Sequence, residues 1–326
     1  MDGNGTGWTR RAVLAGLGAV AAGLAGVGGA RARTGPRDDL VGELRLYSAR
    51  YEDTLMDIAR AFNLGYAELV AANPGVDPWL PGTGRQILLP TAHVLPDAPR
   101  QGIVVNLSDQ RIYWFGPSGG SVQTFAIGIG QEGLGTPIGA TTIVRKKERP
   151  TWIPTAEKRR EDPSLPAVVP PGKDNPMGEY ALYLGWPLYA IHGTNQPDAI
   201  GRRLTRGCIR LYPEGIERLY PAVPVGTRVT VVDQEVKIGW ADGELYVDLH
   251  PTRRDVDQIE EEGHFEPKPI AGLRDRVLQA AGSEADRIDW PTLDAAARVR
   301  NGVPVRITRT AGGAGGIRPI ERLSRS

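Results

Sequence analysis

Hydrophobic and polar positions alternate through residues 44–48 (Leu-Arg-Leu-Tyr-Ser), a period of two that predicts a short strand. The period then lengthens. Leu55, Ile58, Ala59 and Phe62 recur at helical spacing, with Asp53 or Thr54 placed to cap the first turn. A second helical stretch carries Tyr66, Leu69 and Val70 and stops at Asn73-Pro74-Gly75. Beyond Leu80-Pro81-Gly82 the chain re-enters a strand at 86–89, ended by Pro90. The pattern predicts a small α+β unit, in the order β-α-α-β, at residues 43–91.

After the linker 96–100 the pattern becomes predominantly β, over 101–233. Residues 103–107 and 111–115 flank Ser108-Asp109-Gln110, a hairpin signal. Strands continue at 121–130 and 140–144, joined by the glycine-rich 131–139. Residues 145–175 are proline-rich and mixed in charge, and too long for a tight connection; such a loop in a compact domain reads as a functional lid or flap. The apolar run 180–191 reads as one strand leading into His192. A helix is expected at 214–220 and a strand at 228–232.

The remainder is mixed. Residues 236–240 and 245–249 form a hairpin pattern around Ala241-Asp242-Gly243. Helical patterns follow at 253–262, 273–281 and 292–300, with Pro291 near the first turn of the last. These make a C-terminal extension, 234–309, and a glycine- and arginine-rich tail, 310–326, expected to be disordered.

Residues 1–33 carry a different signal. Arg10-Arg11 precedes an uncharged run, 12–30, and Ala30-Arg31-Ala32 follows, a pattern expected of an export leader of twin-arginine type. It places the protein in the periplasm or cell wall, tethered to the membrane if the leader is retained.

Composition narrows the chemistry. A formal net charge of +1 in 326 residues gives no electrostatic reason to bind nucleic acid. The four histidines lack the short spacings of a zinc site, and a lone cysteine, Cys208, leaves no internal disulfide. In Thr205-Arg206-Gly207-Cys208-Ile209-Arg210, sixteen positions after His192, that thiol is a candidate nucleophile with His192 as its base. The amides of Gly207 and Cys208 are candidate oxyanion donors. Arg206 and Arg210 are placed to lower the thiol pKa or hold a carboxylate. Asn195 is a candidate substrate contact; Tyr189 either touches substrate or packs.

The ordered set His192-Gly193-Thr194-Asn195 and Thr205-Arg206-Gly207-Cys208-Ile209-Arg210-Leu211 resembles the YkuD family of L,D-transpeptidases, in its LysM-bearing ErfK/YbiS-like branch. Thr136-Pro137-Ile138-Gly139, Pro150-Thr151-Trp152 and Asn175-Pro176 with Gly178 add to the likeness, and Thr205 stands where serine is commonest. The resemblance implies a YkuD-like β-sandwich with a long capping loop at 101–233. It implies Cys208 as nucleophile, His192 as proton donor and acceptor, and the Gly193 carbonyl orienting the imidazole. It implies acyl transfer from peptidoglycan tetrapeptide stems through a thioester, to a second stem or to an outer-membrane lipoprotein, with no cofactor. Transfer to water would make the protein an L,D-carboxypeptidase; a decayed site would leave a peptidoglycan-binding protein.

The unit at 43–91 resembles a LysM module, on Asp53-Thr54-Leu55, Ile58-Ala59, Leu69, Asn73-Pro74 and Ile87-Leu88-Leu89-Pro90. Glu52 departs from the glycine usual there. The resemblance implies glycan contacts near Asp53, Thr54, Asn73 and Pro74, residue types that also serve as caps and turns.

Overall fold

The alternating run at 44–48 forms a strand because a partner strand is supplied from forty residues further on. In the computed structural model, which describes residues 38–117 and 120–309, strand β1 (Leu40–Gly42) precedes β2 (Arg45–Ser48), helix α1 (Leu55–Ala61), helix α2 (Tyr66–Ala72), β3 (Gln86–Leu89) and β4 (Ala92–Val94). β2 pairs antiparallel with β3, Arg45 opposite Leu89. The expected β-α-α-β order is present. Thr54 caps α1 through a reciprocal bond with Asp57, and Leu55, Ile58, Leu69, Ile87 and Leu89 close a small core. The expected leader, and the tail at 310–326, lie outside the described residues.

The central body is built from β5 (Gly102–Asn106), β6 (Arg111–Phe115), β7 (Gln123–Gly128), β8 (Gly139–Glu148), α3 (Ala156–Glu161), β9 (Tyr180–Leu184), β10 (Ala190–His192), β11 (Ile209–Leu211), α4 (Pro213–Ala222) and β12 (Arg228–Val232). The eight strands close into a barrel in the order β10-β11-β7-β6-β5-β12-β8-β9, where two open sheets of a sandwich were expected. Closure comes from a hairpin within 180–191, where one strand was expected: β9 turns at Gly185 and returns as β10, Ile191 opposite Leu182. β8 also runs four residues past the expected 140–144, so the connection to β9 is shorter and contains α3.

Ile103, Val105, Ile112, Phe125, Ile127, Leu182, Ile191, Ile209, Val229 and Val231 fill the barrel, with Ile216 and Leu219 of α4 packed against them. These are alternate residues of each strand, so their neighbours face outward. On β5 and β6 that outer face is buried too: Val104 and Tyr113 pack beneath Val41 and Leu95 beside β1 and β4.

The C-terminal extension has its own core. β13 (Val236–Ala241) and β14 (Glu244–Leu249) form the expected hairpin, followed by α5 (Arg253–Glu262), α6 (Leu273–Ala281), α7 (Trp290–Val299) and β15 (Val305–Arg306), which pairs with β14. Leu245, Val247, Val277 and Leu293 are fully buried among these elements, while Val256 and Ile259 of α5 pack into the core of the β-α-α-β unit.

Charge is buried where the three parts meet. Lys237 Nζ lies 2.7 Å from Asp109 Oδ2, 2.9 Å from Asp248 Oδ2 and 2.9 Å from the Tyr113 hydroxyl, with both carboxylates and the ammonium fully buried. Burial alone would lower the ammonium; the two carboxylates outweigh it and hold it charged. Nearby, Arg111 Nη2 donates to Glu68 Oε2 at 2.6 Å, tying α2 to the barrel.

Candidate active site

β10 and β11 run parallel, with Ile191 opposite Ile209 and His192 opposite Arg210. Ile191 and Ile209 point into the barrel, so the pleat sends His192, Cys208 and Arg210 to the same outer face. The fifteen residues between His192 and Cys208 are the crossover that brings the imidazole and the thiol onto one face of the strand pair.

His192 is buried, and its Nδ1 lies 2.6 Å from the Gly193 carbonyl oxygen. A carbonyl only accepts, so Nδ1 carries the proton and Nε2 keeps a lone pair. A Cβ at Gly193 would sit 3.0 Å from Ile216 Cγ2, a tight contact that favours glycine there. Burial, reinforced by the Arg210 charge, lowers the imidazole pKa to about 4 against the opposing carbonyls of Gly193 and Met177.

The thiol moves the other way. Burial pushes Cys208 up, opposed by the Ala190 amide and by Arg210. Near neutral pH the thiol and the imidazole are therefore both uncharged at rest. Sγ lies 3.5 Å from the Leu188 carbonyl oxygen.

Thr205 shapes the turn before the cysteine. Its buried hydroxyl donates to the Cys208 carbonyl at 2.6 Å and accepts from the Gly207 amide at 3.1 Å. The Gly207 amide is thus engaged within the turn, which corrects its expected place as an oxyanion donor. Gly207 has φ +103, and a Cβ there would lie 2.5 Å from Tyr189 Cε1, so Tyr189 packs on the turn. Thr136 Oγ1 donates to the Gly207 carbonyl at 2.9 Å.

The two arginines divide. Arg210 shares the outer face with Cys208, is largely buried, and leaves Nε without a hydrogen-bond partner. Arg206 instead turns to the capping loop, 2.6 Å from Glu157 Oε2 and 2.7 Å from Glu161 Oε1 on α3. Its charge is spent there, which corrects its expected action on the thiol. Asn195 is exposed in the turn after the buried Thr194.

Asn175, which residue-type reasoning passed over as a site residue, holds the capping loop. Its buried amide donates to the carbonyls of Pro150 (2.8 Å), Pro170 (3.1 Å) and Val169 (3.2 Å), and its Oδ1 accepts from Met177 N at 2.9 Å. The readable signal was an asparagine among prolines, which leave carbonyls without local donors. Gly178, at φ +64, completes the closure, since a Cβ would lie 2.8 Å from Thr194 N.

In the β-α-α-β unit the four expected glycan-contact residues are otherwise occupied or peripheral. Asp53 Oδ2 accepts from Tyr47 OH and Arg50 N, and Thr54 is the cap of α1. The Asn73 side chain bonds Leu69 O, Leu88 O and Leu88 N, and Pro74 is exposed in the following turn. The first three serve the fold, which corrects their expected ligand role. Among the described residues no group of three or more His, Cys, Asp or Glu side chains is placed to hold a metal ion.

A half-buried cysteine and a buried imidazole anchored through Nδ1 thus lie on one face of adjacent strands, and residues 100–231 match the YkuD family, described as the L,D-transpeptidase catalytic domain. "Probable L,D-transpeptidase ErfK/SrfK" of Escherichia coli (strain K12) is 43% identical over 262 residues, covering 78% of this chain and 82% of that protein. The chain belongs to the YkuD family of L,D-transpeptidases. "Probable L,D-transpeptidase YbiS" of the same strain is 43% identical over 256 residues, 76% of this chain and 81% of that protein. The NMR structure of the catalytic domain from E. faecium L,D-transpeptidase covers 42% of this chain and 99% of its own, at 25% identity and a TM-score of 0.33.

Proposed function

We propose that the protein is an exported transpeptidase that transfers the acyl group of a peptidoglycan tetrapeptide stem through a thioester on Cys208. The single observation that carries this reading is the adjacency of His192 and Cys208 on one face of a parallel strand pair, with His192 Nδ1 bonded to the Gly193 carbonyl.

Because thiol and imidazole are neutral at rest, attack and proton transfer are coupled. Sγ adds to the carbonyl carbon preceding the terminal D-Ala as its proton passes to His192 Nε2. The oxyanion collects the Cys208 amide, and Arg210 holds a substrate carboxylate. The imidazolium then gives its proton to the departing D-Ala nitrogen, leaving a thioester. A primary amine attacks that thioester, His192 takes the amine proton, and the thiol is re-formed. The amine is a side chain of a second stem, giving a 3-3 crosslink, or a lysine of an outer-membrane lipoprotein.

The β-α-α-β unit acts as a LysM-like glycan contact. With Asp53, Thr54 and Asn73 committed to the fold, the sugar-facing residues of its loops are the exposed Tyr51 and Trp79, whose rings suit stacking on a pyranose. Residues 1–33 act as the export leader.

Incubation with a disaccharide-tetrapeptide, followed by mass spectrometry, tests the reading. A thioester adduct on the parent protein, absent in Cys208→Ala, together with crosslinked dimers is the expected result. Tripeptide alone turns the assignment to a carboxypeptidase; folded protein without adduct or product removes it.

A further inference from the structure

A groove of about 1050 Å³ lies where the barrel meets the start of the C-terminal extension, and Cys208 is not among the residues that line it. The barrel contributes the loop 131–135 and Arg203; the extension contributes Glu235 and the first turn of α5. Its lining is hydrophilic, which suits an extended polar segment rather than an apolar helix or an acyl chain.

Most of its charges are already matched. Arg203 pairs with Asp257, Arg253 with Asp233 at 2.9 Å, and Glu235 with Arg300 at 2.6 Å. Arg203 is more than nine-tenths buried, yet its Nε has no hydrogen-bond partner. Glu132 and Arg254 stand apart from this matching: both line the groove, both are exposed, and neither makes a hydrogen bond or ion pair among the described residues. One exposed carboxylate and one exposed guanidinium remain for a ligand.

The groove and the nucleophile share a wall one loop thick. Gln131 N donates to the Thr205 carbonyl at 2.8 Å, and Thr136 Oγ1 to the Gly207 carbonyl at 2.9 Å. A Cβ on Gly207 would lie 3.3 Å from the carbonyl oxygens of both Leu134 and Gly135. The loop that lines the groove is thus the loop on which the Cys208 turn rests.

We infer that this groove is the acceptor subsite, binding a short hydrophilic peptide that carries both a carboxylate and a primary amine. Arg254 takes the carboxylate, Glu132 attracts the amine-bearing end, and the amine crosses the 133–135 rim to the thioester. The inference rests on the acyl-transfer reading above and assigns the extension a role in choosing the acceptor.

The test uses the full chain, a disaccharide-tetrapeptide donor, and two acceptors: a stem tripeptide with a free side-chain amine, and a simple alkyl monoamine without a carboxylate. Arg254→Glu is expected to raise the apparent KM for the tripeptide about tenfold, the loss of one charge-assisted hydrogen bond, and to leave transfer to the monoamine unchanged. Glu132→Lys is expected to raise the KM for both acceptors. Both positions are exposed, and an acidic residue in the first turn of α5 suits the helix dipole, so folding is not at stake. Unchanged tripeptide KM in both variants, with the donor thioester forming normally, overturns the inference alone. Absence of a thioester on the parent protein overturns the functional reading and the acceptor assignment with it.

Discussion

At Cys208 and His192 the resting proton positions follow from burial and not from mutual ionisation. The thiol lies above its ordinary value and the imidazole at about 4, so neither group stabilises the charge of the other before substrate arrives. The rate of Cys208 alkylation by iodoacetamide should therefore climb with pH and inflect above the free-cysteine range, and His192→Gln should barely move that inflection while abolishing turnover. An inflection below neutrality in the parent protein would sink this account. His192 also links stability to pH. Its folded pKa is below its unfolded one, so between them the unfolded chain binds the extra proton, and stability falls as pH drops from 6.5 towards 4. The loss from this residue is about 3 kcal/mol. Denaturant titrations across that window should show it, and His192→Gln should flatten the slope.

At the scale of elements, the turn before Cys208 is held by one hydroxyl and one missing side chain. Thr205→Val strands the Cys208 carbonyl and the Gly207 amide, and is expected to cost about 1–3 kcal/mol, with a larger fall in kcat than in KM. Gly207→Ala drives a methyl into Tyr189 at a positive φ, so loss of acylation with an intact circular dichroism spectrum is expected. In the capping loop, the Asn175 amide does what a strand ladder does elsewhere. Asn175→Ala should accelerate hydrogen exchange across 149–178 without altering exchange in the barrel.

How much of this was legible beforehand differs between positions. The ends of β6, β12, α5 and α6 follow from period and punctuation, because each packs one continuous apolar face. The turn inside 180–191 was masked by the apolar arms on both sides of it, although Gly185 and Pro187 mark it in the sequence; Leu188 at φ +70 carries part of the reversal. The pairing of Arg206 with Glu157 and Glu161 was hidden, being a contact between segments at least forty-five residues apart.

Across the whole molecule, the buried charges couple parts that the linker at 96–100 suggested were separate. Lys237 of the extension neutralises Asp109 of the barrel and Asp248 of its own hairpin, and Glu68 of α2 meets Arg111 of β6. Lys237→Met leaves two buried carboxylates without their cation and should destabilise the fold by about 3–5 kcal/mol. Thermal melts followed by tryptophan fluorescence and by circular dichroism should coincide in the parent protein; resolved transitions would show the parts to be independent. The same coupling forms the groove at the foot of α5, which exists only because the extension is seated on the barrel.

By itself the order of residues determined which thiol and imidazole are the candidates for nucleophile and base, the β-α-α-β unit and most helix limits, since these depend on residue type and on periods within a single element. Tertiary structure decided the closure of the barrel, the protonation of the resting site, the commitment of Arg206 to the capping loop and of Gly207 to the turn, and the groove. Each of those depends on desolvation or on contact between segments far apart in the chain, quantities that a local pattern does not contain.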